Sequence, residues 1–220
     1  MKRFLSLSAL LLVAYTGCMD MNLNLKLKQN WAGSFDVKLE MLDQIFQLMQ
    51  VQAQQSGMEL AGLLDEEVIA QKVKENGGSL EEFSNSVEDG MRKVLVKIKL
   101  PNMRQALANL GGGQMAITAD KDEWLWTLSD SSMADPLKQM DPATLEQQLT
   151  MMAPTMTGLT VNIDVEVPTL VDTNLTRGEN NTTHFSFNFD RDVSGKQGQA
   201  LVDAFLGLLG EKWIRFKGVQ

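Results

Sequence analysis

Histidine, tyrosine and cysteine each occur once in these 220 residues, and proline only five times. A lone cysteine, Cys18, cannot close an internal disulfide. A lone histidine, His184, is the one candidate base for a Ser-His-Asp triad, and no G-x-S-x-G elbow supplies the serine. A metal at His184 would need other ligands, which the sequence does not offer nearby. Gly111-Gly112-Gly113 lacks the Lys-Ser/Thr pair of a phosphate-binding loop and reads as a helix stop. Positive charge is also scarce: 20 Lys and Arg face 28 Asp and Glu, a formal net charge of −8. Nucleic acid is therefore not expected as a partner, because phosphate contacts need a basic face. No cofactor motif occurs, no repeat of fixed period appears, and no Gly/Pro/Ser-rich linker divides the chain. The reading is of a non-enzymatic protein without a cofactor.

The most specific signal is at the start. Lys2 and Arg3 precede an uncharged, mostly apolar run from Phe4 to Tyr15. Twelve helical residues rise about 18 Å, too little for a hydrocarbon core of about 30 Å, but suited to the apolar part of a signal peptide. Tyr15-Thr16-Gly17-Cys18 resembles a lipobox, at which the thiol receives diacylglycerol and the chain is cut before the cysteine. Residues 1–17 are thus expected to be a signal peptide that is removed, and residues 18–220 a single domain anchored at Cys18. A plain secretory signal and an uncleaved anchor are the alternatives. Loss of Lys2 and Arg3 would make the chain more acidic still. The expected location is the cell envelope, with lipid on Cys18 holding the chain to a membrane. Met19 rather than Asp follows the cysteine, which favours the periplasmic face of the outer membrane in a Gram-negative cell.

Downstream, hydrophobic alternation dominates. Met19 to Lys28 and Phe35 to Met41 alternate apolar with polar residues around a turn at Gln29-Asn30-Trp31-Ala32-Gly33, which predicts a hairpin with one wet face. Apolar stripes at helical spacing predict helices over 42–55 and 60–76, the second stopped by Gly77-Gly78. Strands over 79–88 and 93–100 meet at Asp89-Gly90. Asn102 caps a helix to Leu110, and a hairpin over 114–119 and 123–128 follows. Asp141-Pro142 opens a helix to Met152. Leu159 to Val167 is a strand, Thr169 to Thr173 extends the sheet, and Phe185, Phe187 and Phe189 mark another strand. Residues 190–198 read as loop or short turn, and Gln199 to Leu209 as an amphipathic helix. Strands in hairpins with helices inserted between them give an antiparallel α+β fold.

The order of these features, a lipidated cysteine leading into a hairpin, then Val167-Pro168, Thr169-Leu-Val-Asp-Thr-Asn174, a turn and the aromatic strand Thr183-His184-Phe185-Ser186-Phe187, resembles the LppM-like family of bacterial envelope lipoproteins. The resemblance covers both ends of the chain. It implies an α+β domain that touches lipids or glycolipids, and it implies no catalytic residues.

Two features point toward lipid. Methionines cluster at Met133, Met140, Met151, Met152 and Met156, and Met151, Met152 and Met156 are candidate wall residues of an apolar groove, or else core filling. The tail interleaves basic and aromatic residues, so Trp213, Arg215, Phe216 and Lys217 are candidate membrane-interface residues, or else part of a final strand or helix packed on the sheet. The acids at Asp65-Glu66-Glu67, Glu81-Glu82 and Asp120/Asp122 are candidates for a polysaccharide-cleaving pair, or a solvated surface. Asn174, Asn180 and Asn181 match glycosylation sequons but read as polar turn residues. The leading expectation is binding of a lipid or another envelope component. The alternative is an assembly protein that docks a protein partner through an exposed sheet face, and the least favoured is an envelope hydrolase.

Overall fold

The computed structural model describes residues 19–47, 50, 65–110, 115–129, 139–152 and 156–219. Cys18, the signal segment, Gly111-Gly112-Gly113 and half of the helix expected over 42–55 lie outside the described residues.

Strands β1 (Met19–Leu27) and β2 (Gly33–Leu42) form the expected hairpin, paired from Met19–Met41 to Leu27–Gly33. A helical segment starts at Asp43. Helix α1 (Glu66–Glu75) begins where Asp65 accepts the amides of Glu67 and Val68, and it leads into strands β3 (Ser79–Glu88) and β4 (Met91–Leu100). Helix α2 (Met103–Leu110) is opened by Asn102, whose side chain accepts the Gln105 amide. β5 (Ala116–Asp120) and β6 (Glu123–Ser129) form the next hairpin, and α3 (Pro142–Met152) is capped by Asp141 through the Thr144 amide. The remaining elements are β7 (Thr160–Glu166), β8 (Thr169–Thr173), β9 (Thr176–Arg177), β10 (Thr182–Asn188), the single turn α4 (Phe189–Asp192), α5 (Gln199–Leu209) and β11 (Lys212–Lys217).

These strands make two sheets, one of seven in the order β3-β4-β2-β1-β7-β10-β9 and one of four in the order β5-β6-β11-β8. The fold is α+β and mostly antiparallel, as the hairpin pattern predicts. Three details differ from expectation. β1 and β7 pair in parallel, Asp20 opposite Thr160 through Lys26 opposite Glu166. Thr169–Thr173 does not extend the first sheet but crosses to the second, where it pairs with β11. Phe189 starts α4 and leaves the strand at Asn188.

One face of the seven-stranded sheet carries both hydrophobic cores, arranged end to end along the strands. Met19, Met41, Val161 and Phe187 project from one end and are covered by Leu145 and Leu149 of α3 and by Val202 and Phe205 of α5. Leu25, Ile98 and Val165 project from the other end and meet Trp126, Ile214 and Phe216 of the second sheet and Met103 and Leu107 of α2. Ile163 packs against both. Burial of these side chains at roughly 25 cal/mol per Å² of apolar surface is the main stabilising term.

Candidate functional site

Among the described residues, no element packs over the opposite face of the seven-stranded sheet. Because side chains alternate across a strand, the residues between the buried ones all project there. In β1 they are Asp20, Asn22, Asn24 and Lys26, in β2 Ser34, Asp36, Lys38 and Glu40, and in β7 Thr160, Asn162, Asp164 and Glu166. None of these is buried. The registers place charges of opposite sign side by side. Asp36 lies opposite Lys97, which lies opposite Glu82. Lys97 Nζ is 2.7 Å from Glu82 Oε2, Lys93 is 2.7 Å from Glu88, and Lys26 is 2.6 Å from Glu166. The hydrogen bond to Glu82 raises the Lys97 ammonium above its ordinary value, and that to Glu88 does the same for Lys93. The hydrogen bond from Lys38 holds the Glu40 carboxyl below its usual range. Toward β7 the face turns to amides: Asn162 donates to Asn22 at 3.0 Å, and Asn22 donates to Asp20 at 2.9 Å. His184 Nδ1 is 2.7 Å from Asp164 Oδ1 on the neighbouring strand. The result is a broad plane of paired charge and amide hydrogen-bonding groups.

At the end of this sheet where β1 turns into β2, two open depressions of about 500 and 510 Å³ flank the turn and share Lys26 and Lys28. One is bounded by Glu166, Pro168 and Asn181, the other by Gly78, Ser79 and Lys99. Both are open surface hollows rather than enclosed cavities; the first is bounded about equally by polar and apolar surface, the second mostly by apolar surface.

The turn itself is strained. Trp31 has φ of 64°, the left-handed region that a bulky side chain rarely enters. Its carbonyl accepts the Met103 amide at 2.8 Å and so caps α2. Its ring meets Trp124 edge-on at 4.6 Å, and the Arg104 guanidinium lies over both rings, 5.9 Å from Trp31 and 4.8 Å from Trp124. Gly33 follows because a Cβ there would run into the Lys26 carbonyl and the Met103 side chain. The sequence flags this segment as a turn, but nothing in it marks Trp31 as the left-handed residue.

The residues singled out for lipid contact do not form one surface among the described residues. Met156 is buried at 1% exposure in the core beneath α3, whereas Met151 is 65% exposed. The side chain of Met152 lies outside the described residues, as does Met133. In the tail, strand alternation divides the set. Phe216 is fully buried with Ile214 in the second core, so it is not available at an interface. Trp213, Arg215 and Lys217 project from the other side of β11. Arg215 lies 3.0 Å from Asp120 and 3.6 Å from Glu123, and Lys217 is 3.1 Å from Glu123, so their charges are answered within the protein.

Several of the acidic groups have structural partners. Asp65 caps α1, whose first turn holds Glu66 and Glu67. Glu81 pairs with Lys99, Glu82 with Lys97, and Asp120 with Arg215. Two of the three sequon asparagines, Asn174 and Asn181, are also engaged. Asn174 bridges the Glu211 carbonyl and the Trp213 amide, and Asn181 accepts the Leu170 amide while donating to the Pro168 carbonyl. Among the described residues no group of three or more His, Cys, Asp or Glu could hold a metal ion, and no helix is long and apolar enough to cross a membrane.

One buried charge was not anticipated. Lys212 is 4% exposed, and its ammonium donates to the carbonyls of Gly207, Leu208 and Gly210 at the end of α5. Burial pushes its pKa down to about 8. The negative end of the helix and three acceptors are the surroundings that keep a cation there.

No family model matches the chain, and no curated protein matches it. Among solved structures, the folded domain of the LppM protein of Mycobacterium tuberculosis, determined by NMR, is similar over 93% of each chain, with 10% identity and a TM-score of 0.48. At that identity and score the likeness does not establish a shared family.

Proposed function

We propose that this chain is a non-enzymatic, lipid-anchored envelope protein that works by docking a protein partner on the open face of its seven-stranded sheet. The observation that carries this reading is that face itself: β1, β2, β4, β7 and β10 present it side by side, and none of the β1, β2 or β7 residues on it is buried. A sheet that wide is usually covered on both sides or kept polar on the free one. Here the free side carries ordered ion pairs and amides, which offer register-specific hydrogen bonds and charge complementarity to a partner. The anchoring half of the proposal rests on the signal-like segment and Cys18.

Binding of a free lipid is the second reading. It needs a deep apolar groove, and the described hollows are open at the surface, one of them lined by as much polar as apolar surface. Met156, one of the residues proposed for such a groove, fills the core instead.

The test is photocrosslinking in intact envelopes from a reactive residue placed at Asn24, in the middle of the open face, with Thr118 on the second sheet as the control site. A single defined protein adduct from Asn24 and none from Thr118 supports docking. No adduct from Asn24, together with a lipid mass that co-purifies with the detergent-free chain, would replace docking with lipid carriage.

A further inference from the structure

We infer that the end of the seven-stranded sheet at which β1 begins is the membrane-facing end, with Leu42, Val87 and Met151 as its bilayer contacts. This rests on the proposed acylation of Cys18 and adds an orientation to it.

The first observation is the absence of slack between anchor and fold. β1 begins at Met19, the residue after Cys18, and Met19 is 2% exposed in the core. Neighbouring α-carbons are about 3.8 Å apart, so a lipid on Cys18 enters the bilayer within a few ångströms of the folded sheet. An anchor on a flexible linker would leave the domain free to tumble. This one fixes which end faces the headgroups.

The second observation is where apolar side chains meet solvent. Among the described residues only three large hydrophobic side chains are exposed: Leu42 at 37%, Val87 at 47% and Met151 at 65%. Leu42 closes β2, one residue beyond Met41, the partner of Met19. Val87 lies opposite Arg92, one rung from the pair Met91–Glu88 that sits beside Leu42. Met151 is on α3, two residues beyond Leu149, which shares a core with Met19 and Met41. Two of the three are therefore on the last rungs at the Cys18 end, and the third is on the helix that packs there.

The third observation is charge. A strongly acidic chain is repelled by anionic headgroups unless a local patch overrides its net charge. At this end Arg92 pairs with Asp43 at 2.6 Å, Lys93 with Glu88 and Lys38 with Glu40. Pairing within the rim lowers the local field that the lipid surface meets. The hollows around Lys28 and Asn181 then lie at the far end, about 30 Å away along nine strand residues.

Cys18 is the only cysteine, and acylation consumes its thiol, so an added cysteine takes a thiol-reactive fluorophore at one place. The full chain is prepared as wild type and as Leu42→Cys, Val87→Cys and Lys28→Cys, labelled with a polarity-sensitive dye. It is then inserted into phosphatidylethanolamine–phosphatidylglycerol vesicles containing a headgroup-level spin-labelled quencher. The expected result is a blue-shifted dye quenched several-fold more strongly at Leu42 and Val87 than at Lys28. Equal quenching at both ends, or stronger quenching at Lys28, with the wild type unlabelled, would overturn the orientation and leave the anchor standing. Labelling of the wild-type chain would show a free Cys18 thiol and overturn both.

Discussion

The ammonium of Lys212 lies 4.3 Å from the centre of the Phe185 ring, a cation of the four-stranded sheet seated over an aromatic of the seven-stranded one. Together with its three bonds to the end of α5, this makes Lys212 a junction between the two sheets and a helix.

Its pH dependence follows. The folded pKa of about 8 is below the ordinary 10.5, so the unfolded chain binds this proton more tightly. Stability should rise as pH goes from about 8 to about 10.5, by an upper bound of about 4 kcal/mol at roughly 1.4 kcal/mol per unit. The raised lysines Lys93 and Lys97 lose their contribution only above that window. Denaturant titrations at successive pH values should show the rise, and Lys212→Met should flatten it. That substitution should also cost about 1–3 kcal/mol at neutral pH by leaving buried helix carbonyls without their donor.

Trp31→Gly sets backbone strain against packing. Glycine removes a left-handed cost of about 1–2 kcal/mol. It also removes the edge-on contact with Trp124 and the support for Arg104, and truncating a large aromatic usually costs more than that, about 3–5 kcal/mol. The net result should be a loss of about 1–3 kcal/mol by chemical denaturation, with a weakened near-ultraviolet circular dichroism signal from the tryptophan pair. A gain in stability would mean that the strain outweighs the contact.

Asn181→Ala should destabilise by about 2 kcal/mol. The side chain accepts from Leu170 and donates to Pro168, and its φ of 60° suits asparagine better than alanine. Thermal melts are sufficient to measure this, and a change within error would remove Asn181 as the clamp on the β7–β8 connection.

Lys97→Glu separates folding from docking. The pair with Glu82 is exposed, and such pairs contribute about 0–1 kcal/mol, so the melting transition should hardly move. Partner capture through the open face should fall several-fold, because one charge in the row Asp36–Lys97–Glu82 is reversed. Unchanged capture with an unchanged melt would place the docking surface elsewhere.

The hairpins β1–β2, β3–β4 and β5–β6 are legible in the sequence because each buries one face and wets the other, and a period of two is a local property. Which strand lies beside which is not local. The alternation of Leu159 to Val167 is the same whether that strand pairs with β10 alone or also in parallel with β1, and Thr169–Thr173 carries no mark of the sheet it joins. The turn after β1 shows a second limit. Its glycine suggests the left-handed position, but Trp31 takes that conformation, and Gly33 is needed for the close approach of Met103. The methionine cluster shows a third. Met151 and Met156 are chemically alike, and only the packing of α3 puts one in water and the other in the core. In the tail the alternation of Ile214 and Phe216 against Trp213 and Arg215 is readable, and it separates Phe216 from the residues it was grouped with. Lys212 could not be read as buried, since its acceptors are carbonyls rather than a charged partner in the sequence.

The parallel contact between β1 and β7 joins residues 140 positions apart, Lys26 with Glu166 among them. Loop closure over that span must precede any reward from the contact, so the sheet cannot be completed until most of the chain is available. A chain that emerges N-terminus first would therefore present the β1–β2 hairpin while β1 still lacks β7 on its other edge. The hydrophobic side of that hairpin would stay open to chaperones and to other chains until the residues that cover it have emerged.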